Sequence, residues 1–117
     1  MHAAWADLPT EEVLPGITRQ VVDGGNQTLV RYVYAPGSVF PVHAHPEEQI
    51  TVVVSGRIAF EIDGARCELG PGEVAVIPPN ARHGAVVVGP DVVETFNALS
   101  PRRATNPSFS TTEGTSG

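Results

Sequence analysis

Short apolar runs separated by glycine and proline turns are the feature that most limits how this chain can fold. The 117 residues include 12 Gly and 11 Pro, and these are spread between the runs rather than gathered into a linker. Strong turn signals stand at 23–26, 63–64 and 70–72. About ten runs, many of them rich in β-branched residues, with turns every eight to twelve residues, predict an all-β barrel or sandwich.

Two of the predicted strands have different patterns. Residues 49–55 form a continuous, mostly β-branched run, which is typical of a strand buried on both faces. Residues 57–62 alternate instead, so that Ile58, Phe60 and Ile62 share one face. No long stretch has the periodicity of a helix.

The length predicts a single domain with a segment at each end. Residues 1–15 are expected to form an irregular arm, in which Trp5 packs either on a neighbouring subunit or on its own barrel. Residues 16–103 are expected to form the barrel. Residues 104–117 are rich in Ser, Thr and Gly, and this composition predicts a mobile or loosely docked tail.

The composition excludes several classes of partner. A net charge of −6 with scattered basic residues argues against nucleic acid, because phosphate binding needs clustered Lys and Arg. No apolar run is long enough to cross a bilayer, and the N-terminus lacks the pattern of a signal peptide. Cys67 is the one cysteine, which excludes an internal disulfide. We therefore expect a cytoplasmic protein with no membrane partner.

Three of the four histidines lie between positions 43 and 83. His43 and His45 are two residues apart, a spacing that places both imidazoles on one face of a strand. Gln49 follows four residues later, and His83 comes after a proline-containing loop. A strand-spaced pair alone is more often an ordinary pair of surface or core residues. If the sheet closes on itself, however, the three imidazoles make a plausible metal cage.

The residues around these histidines resemble the cupin superfamily. The first cupin motif is matched by Gly37, His43, His45, Gln49 and Gly56, with Gln in the place of Glu. The second motif is matched by Gly72, Pro78, Asn80 and His83, with Asn in the place of its second Gly. The resemblance implies a double-stranded β-helix, or jelly-roll β-barrel, and a homodimer.

The resemblance also implies one divalent transition metal (Zn, Ni, Mn, Fe or Co) held by His43, His45, Gln49 and His83. A Gln leaves the full charge on the metal and cannot act as a base, which favours Lewis-acid chemistry. The neighbouring Glu47 and Glu48 are expected to be solvated.

Within the cupins, the segment 43–49 resembles the pectin-degradation group, which opens an unsaturated uronate to a linear keto acid. That group has an active-site Asp-x-Phe-Ser-Pro-Pro-Arg segment, and Arg103 retains its last position. Asn97 stands where the Asp would be, unless a gap aligns Glu94 there instead. Glu94 is thus the candidate base or a plain surface residue, and Arg103 either clamps a substrate carboxylate or is solvated.

We therefore expect a metal-dependent enzyme that uses the ion as a Lewis acid on a small carbonyl or enol substrate, of the isomerase, cyclase or lyase type. Two alternatives stay open. The first is a dioxygenase of the quercetinase or diketone-cleaving type. The second is a non-catalytic cupin that binds a small molecule.

Overall fold

The computed structural model describes residues 1–104 and Pro107, and these form two antiparallel β-sheets packed face to face. A short 3-10 turn, Trp5–Asp7, precedes ten strands: β1 Glu11–Leu14, β2 Ile17–Asp23, β3 Thr28–Tyr34, β4 Val39–His43, β5 Glu48–Ser55, β6 Arg57–Ile62, β7 Ala65–Leu69, β8 Val74–Ile77, β9 His83–Val88 and β10 Val93–Ser100. The predicted tail lies outside the described residues, apart from Ala104 and Pro107. Within the described part of the chain, no helix is long and apolar enough to span a membrane.

The order of the strands confirms the predicted jelly roll. The larger sheet has the order β1-β2-β3-β10-β5-β8 and the smaller has the order β4-β9-β6-β7. From β4 onward the chain passes repeatedly from one sheet to the other, which winds the two sheets around a shared interior. The core fills the space between the sheets. Its fully buried members come from both sheets and include Ile17, Val30, Val53, Ile58, Ile77 and Val93.

The N-terminal segment is more ordered than its sequence predicts. Residues 11–14 were expected to be irregular but form β1, which pairs with β2 at the edge of the larger sheet. Glu11 and Glu12 are exposed, so no apolar alternation marks this edge strand in the sequence. Trp5 packs against Phe96 of the same chain, with ring centroids 5.4 Å apart. The structure thus shows Trp5 on its own barrel, and the homodimer stays a prediction.

The prediction that β5 is buried on both faces is wrong. Ile50, Val52 and Val54 are 40%, 37% and 44% exposed, whereas the residues between them are buried. β5 lies between β10 and β8, and only its inner face meets the smaller sheet. β-Branched residues favour the extended backbone on either face, so their continuous run did not show that both faces are covered.

A bulge in β4 decides which of its residues face the interior. Phe40 pairs with Ala85 and His43 with His83, so three steps along β4 match two steps along β9. The extra residue lets two positions of opposite parity, Phe40 and His43, point inward together. Simple alternation from His43 would instead place Val39 inside, and Val39 is exposed.

Among the glycines of the described residues, Gly56 is expected to be the least tolerant of substitution. Its φ is +78°, and a Cβ there would lie 2.5 Å from the carbonyl oxygen of Val92. Gly64 is a matched control, because its φ is +82° but a Cβ would meet nothing within 4 Å. We expect Gly64→Ala to cost about 1 kcal/mol from backbone strain alone. Gly56→Ala adds a backbone clash and should cost at least about 3 kcal/mol in urea unfolding; equal losses would contradict this.

Candidate metal centre

Two adjoining strands and the loop after β4 bring the three histidines together. His43 ends β4, His83 begins β9 directly opposite it, and His45 follows β4 by two residues. One ring nitrogen from each histidine lies within 4.8 Å of the others, and all three side chains are buried. Gln49, on the inner face of β5, is also buried. The structure therefore gathers all four ligands proposed from the sequence.

Backbone carbonyls orient the three imidazole rings. The Nδ1 atoms of His43, His45 and His83 lie 2.9, 3.0 and 2.9 Å from the carbonyl oxygens of Pro41, Glu47 and Ala81, respectively. A carbonyl oxygen only accepts, so each Nδ1 carries the proton and donates it. Nε2 is therefore the unprotonated nitrogen of each ring, the atom that can coordinate a metal. Such outer contacts are the usual way in which proteins orient histidine ligands toward a metal.

The environment keeps the imidazoles neutral. Burial lowers the pKa of His43 to about 3, and the charge of His83 acts in the same direction. Burial lowers the pKa of His83 to about 4, and that of His45 is also lowered, by burial and then by the charge of Arg103. Because a metal binds the unprotonated nitrogen, the cluster is ready to coordinate at neutral pH without losing protons.

The contact between His45 and Gln49 indicates a cation. His45 Nε2 lies 3.0 Å from Gln49 Oε1. The imidazole proton is on Nδ1 and the Gln49 amide donates its Nε2 protons to Thr51 and Asn97, so two acceptors face each other. His83 Nε2 is buried with no hydrogen-bond partner. A positive ion that accepts all these lone pairs resolves both features, so the residues present fit a metal with nitrogen and oxygen ligands.

Arg103 is buried beside the cage. Its Nε donates to Glu47 Oε1 at 3.1 Å, and its backbone nitrogen donates to Thr28 Oγ1 at the same distance. Its Nη1 is buried without a hydrogen-bond partner. Glu47 is 8% exposed, so the expectation that it is solvated is wrong, whereas Glu48 is exposed as expected. The carboxylate is buried because Arg103, distant in sequence, supplies its charge partner.

A small cavity adjoins the histidines and Arg103. Its volume is about 20 Å³, which is room for one or two water molecules. Its walls are aromatic and other apolar residues together with the polar side chains of the proposed ligands and Arg103. They comprise Tyr32, Tyr34, Phe40, His43, Gln49, Phe60, His83, Gly84, Ala85, Leu99 and Arg103.

The family model described as "Cupin domain" matches residues 30–98, which contain every residue of the histidine cluster. The chain belongs to the cupin family. No functionally curated protein sequence is significantly similar to this cupin.

Solved cupin structures are similar along most of the chain. An RmlC-like cupin from Shewanella frigidimarina is 27% identical, with a TM-score of 0.80 over 87% of this chain and 91% of that one. KdgF from a Halomonas species is 31% identical, with a TM-score of 0.75 over 85% of this chain and 91% of that one. A variant of oxalate decarboxylase OxdC from Bacillus subtilis is 16% identical with a TM-score of 0.77, a likeness of fold alone; the match covers 85% of this chain and 29% of that one.

Glu94 lies away from the metal centre of this cupin. On β10 the side chains of Thr95, Asn97 and Leu99 point into the barrel, and those of Glu94 and Phe96 point outward. Glu94 Oε2 accepts from Arg31 Nε at 2.5 Å in a groove beside Trp5. Its position does not support a role as the base at the histidine cluster. Of Glu94 and Asn97, the two candidates for the position of the family's Asp, Asn97 is the one that faces the interior.

Sequence reasoning missed Glu47 and Thr51 as parts of this centre. Glu47 was set aside because glutamate is usually exposed, and no role was assigned to Thr51. Gln49 and Thr51 do share one strand face, and that period-2 spacing is the signal that could have paired them.

Proposed function

We propose that this cupin is a metal-dependent enzyme that acts on a small carbonyl or enol compound bearing a carboxylate, as an isomerase, cyclase or lyase. One observation carries the proposal. Among the described residues, two buried side-chain nitrogen or oxygen atoms lack a hydrogen-bond partner, His83 Nε2 and Arg103 Nη1, and both residues line the same cavity. An imidazole lone pair and a guanidinium nitrogen that lack partners in one cavity indicate a metal and an anionic ligand there.

The ligand set favours Lewis-acid chemistry. His43, His45, His83 and Gln49 are neutral donors, so a bound divalent ion keeps its full charge and polarises a carbonyl oxygen. Arg103 is proposed to hold the substrate carboxylate through Nη1, while its Nε stays on Glu47. The Glu47 contact fixes the guanidinium, so that its free edge is already oriented before the substrate binds.

The other described walls offer a hydrogen-bond donor and no carboxylate base. Burial raises the pKa of Tyr34, so its phenol keeps the proton and serves as a hydrogen-bond donor. Among the described residues that line the cavity there is no carboxylate. The resemblance of residues 43–49 to the pectin-degradation group supports the isomerase type, although Asn97 and Leu99 stand where that group has Asp and Phe.

The proposal is tested with protein purified without a His-tag or added metal. Plasma mass spectrometry should find close to one equivalent of divalent metal per chain. Pyruvate, as a minimal keto acid, should raise the melting temperature of the loaded protein by mass action, and methyl pyruvate should not, because the ester offers Arg103 no anion. Loss of the methyl proton signal of pyruvate in D₂O, followed by NMR, would report enolisation.

Each outcome of this experiment has a separate meaning. Stabilisation by pyruvate without proton exchange, here and across a panel of small keto and enol acids, would favour the non-catalytic binding cupin. Oxygen consumption with catechols, flavonols or diketones would favour the dioxygenase. Equal stabilisation by the acid and its ester would contradict the role proposed for Arg103. Absence of bound metal, both as purified and after incubation with Zn²⁺, Ni²⁺ or Mn²⁺, would overturn the metal centre.

A further inference from the structure

Asn97 is buried in β10 with every hydrogen-bonding group of its amide used. Its Nδ2 donates to the carbonyl oxygen of Val30 at 3.1 Å and to Thr95 Oγ1 at 2.9 Å. Its Oδ1 accepts from Thr51 Oγ1 at 2.7 Å and from Gln49 Nε2 at 3.2 Å. The residue thus links the backbone of β3 to the Gln49 side chain on β5.

These contacts leave the Gln49 amide one orientation. The Val30 carbonyl only accepts, so the end of Asn97 that faces it is Nδ2 and the opposite end is Oδ1. Oδ1 only accepts, and an oxygen facing it would be repelled, so the end of Gln49 that faces it is Nε2. Gln49 Nε2 also donates to Thr51 Oγ1 at 2.9 Å. The remaining end of Gln49, Oε1, is therefore directed toward His45 Nε2.

We propose that Asn97 is a positioning residue that, together with Thr51, selects which end of the Gln49 amide faces the metal. The inference rests on the proposed metal centre. It also accounts for an amide at position 97: a carboxylate there would place an acceptor oxygen against the Val30 carbonyl, with no proton to share between them. Asn97 acts on the metal site only through Gln49, and we assign it no role as an acid or a base.

The test is a double-mutant cycle between positions 97 and 49. The two oxygens of a carboxylate are equivalent. After Gln49→Glu, either end of the side chain can therefore bind the metal, and no neighbour has to orient it. We expect Asn97→Leu to weaken Zn²⁺ binding about 10- to 100-fold in the unaltered background, the cost typical of losing an outer-shell partner. In the Gln49→Glu background the same change should alter affinity by less than about threefold, or improve it, because Asn97 Oδ1 then opposes a carboxylate oxygen.

Competition with a chelating dye measures these affinities, and Co²⁺ absorption spectra report whether the ligand set has changed. Thr51→Val is the second variant should Asn97→Leu fail to fold, and Thr51→Ser, which keeps the hydroxyl, should restore binding. Thr95→Val is the matched control, because Thr95 is equally buried and contacts Asn97 but has no hydrogen bond to Gln49. It should leave affinity within about threefold, well short of an outer-shell loss.

The outcomes distinguish a failure of the role inferred for Asn97 from a failure of the proposed metal centre on which it rests. Equal losses in the Gln and Glu backgrounds would show that Asn97 acts only through packing, and would overturn the inference alone. So would unchanged affinity and an unchanged Co²⁺ spectrum in both Asn97→Leu and Thr51→Val. If the unaltered protein binds neither Zn²⁺ nor Co²⁺, the metal centre and the inference both fail.

Discussion

The His83→Ala protein is expected to lose its bound metal. His83 Nε2 is a buried lone pair with no hydrogen-bond partner, and the ring is oriented by the Ala81 carbonyl. Its removal takes away one of three imidazole ligands. Loss of a residue that only supports a ligand typically weakens metal affinity by up to roughly 100-fold, and loss of a ligand itself should weaken it more. Plasma mass spectrometry after gel filtration should find less than about a tenth of an equivalent, because such a weakened site is stripped during purification.

The matched control for this experiment is His2→Ala. His2 is exposed near the N-terminus, so its loss tests whether surface histidines contribute to the measured metal. The control should keep the metal content and the affinity of the unaltered protein. A His83→Ala protein that retained a full equivalent would contradict the three-histidine cage, and equal losses in both variants would show that the bound metal is adventitious.

The second large effect is expected for Arg103→Met. Arg103 and Glu47 are 5% and 8% exposed and form an ion pair at 3.1 Å. Removal of the arginine leaves a buried carboxylate without a charge partner, a change that typically costs about 3–5 kcal/mol. We therefore expect a loss of that size in the free energy of unfolding, measured by urea denaturation of the metal-free protein.

The adjacent arginine supplies the control. Arg102 pairs with Asp23 at 3.8 Å, and their side chains are 52% and 31% exposed, far more than those of the buried pair. Exposed pairs contribute little, so Arg102→Met should change stability by at most about 1 kcal/mol. The double variant Arg103→Met/Glu47→Gln should regain part of the loss, because the unpaired charge is gone. Equal effects at the two arginines, or no recovery in the double variant, would contradict this account.

Much of the fold could be predicted from local patterns. Turns at 23–26, 63–64 and 70–72 follow from residues that favour tight turns, and the alternation along 57–62 follows from the period of a strand. The paired spacing of His43 and His45, with Gln49 and His83 in register with a family motif, was enough to propose the ligand set. These features depend on neighbours in sequence or on the motif, so the sequence alone carries them.

Other features depended on partners distant in sequence. The sequence predicts Glu47 at the surface, but in the structure its ion pair with Arg103 buries it. The sequence allows Glu94 as a base, but in the structure its side chain lies on the outer face of β10. The bulge that places Phe40 beside His43 arises from the pairing of β4 with β9. No local pattern contains these facts, because each requires knowing which strands meet and in which register.

The sequence by itself determined that this protein is a β-barrel of the cupin type with three histidines and a glutamine available for one metal. Only the tertiary structure decided how those groups are oriented. The carbonyls that set the imidazole tautomers come from Pro41 within β4 and from Glu47 and Ala81 in loops. The amide of Asn97 that directs Gln49 lies 48 positions further along the chain. Hydrogen bonds have directions as well as partners, and a direction exists only once the strands that carry donor and acceptor lie side by side.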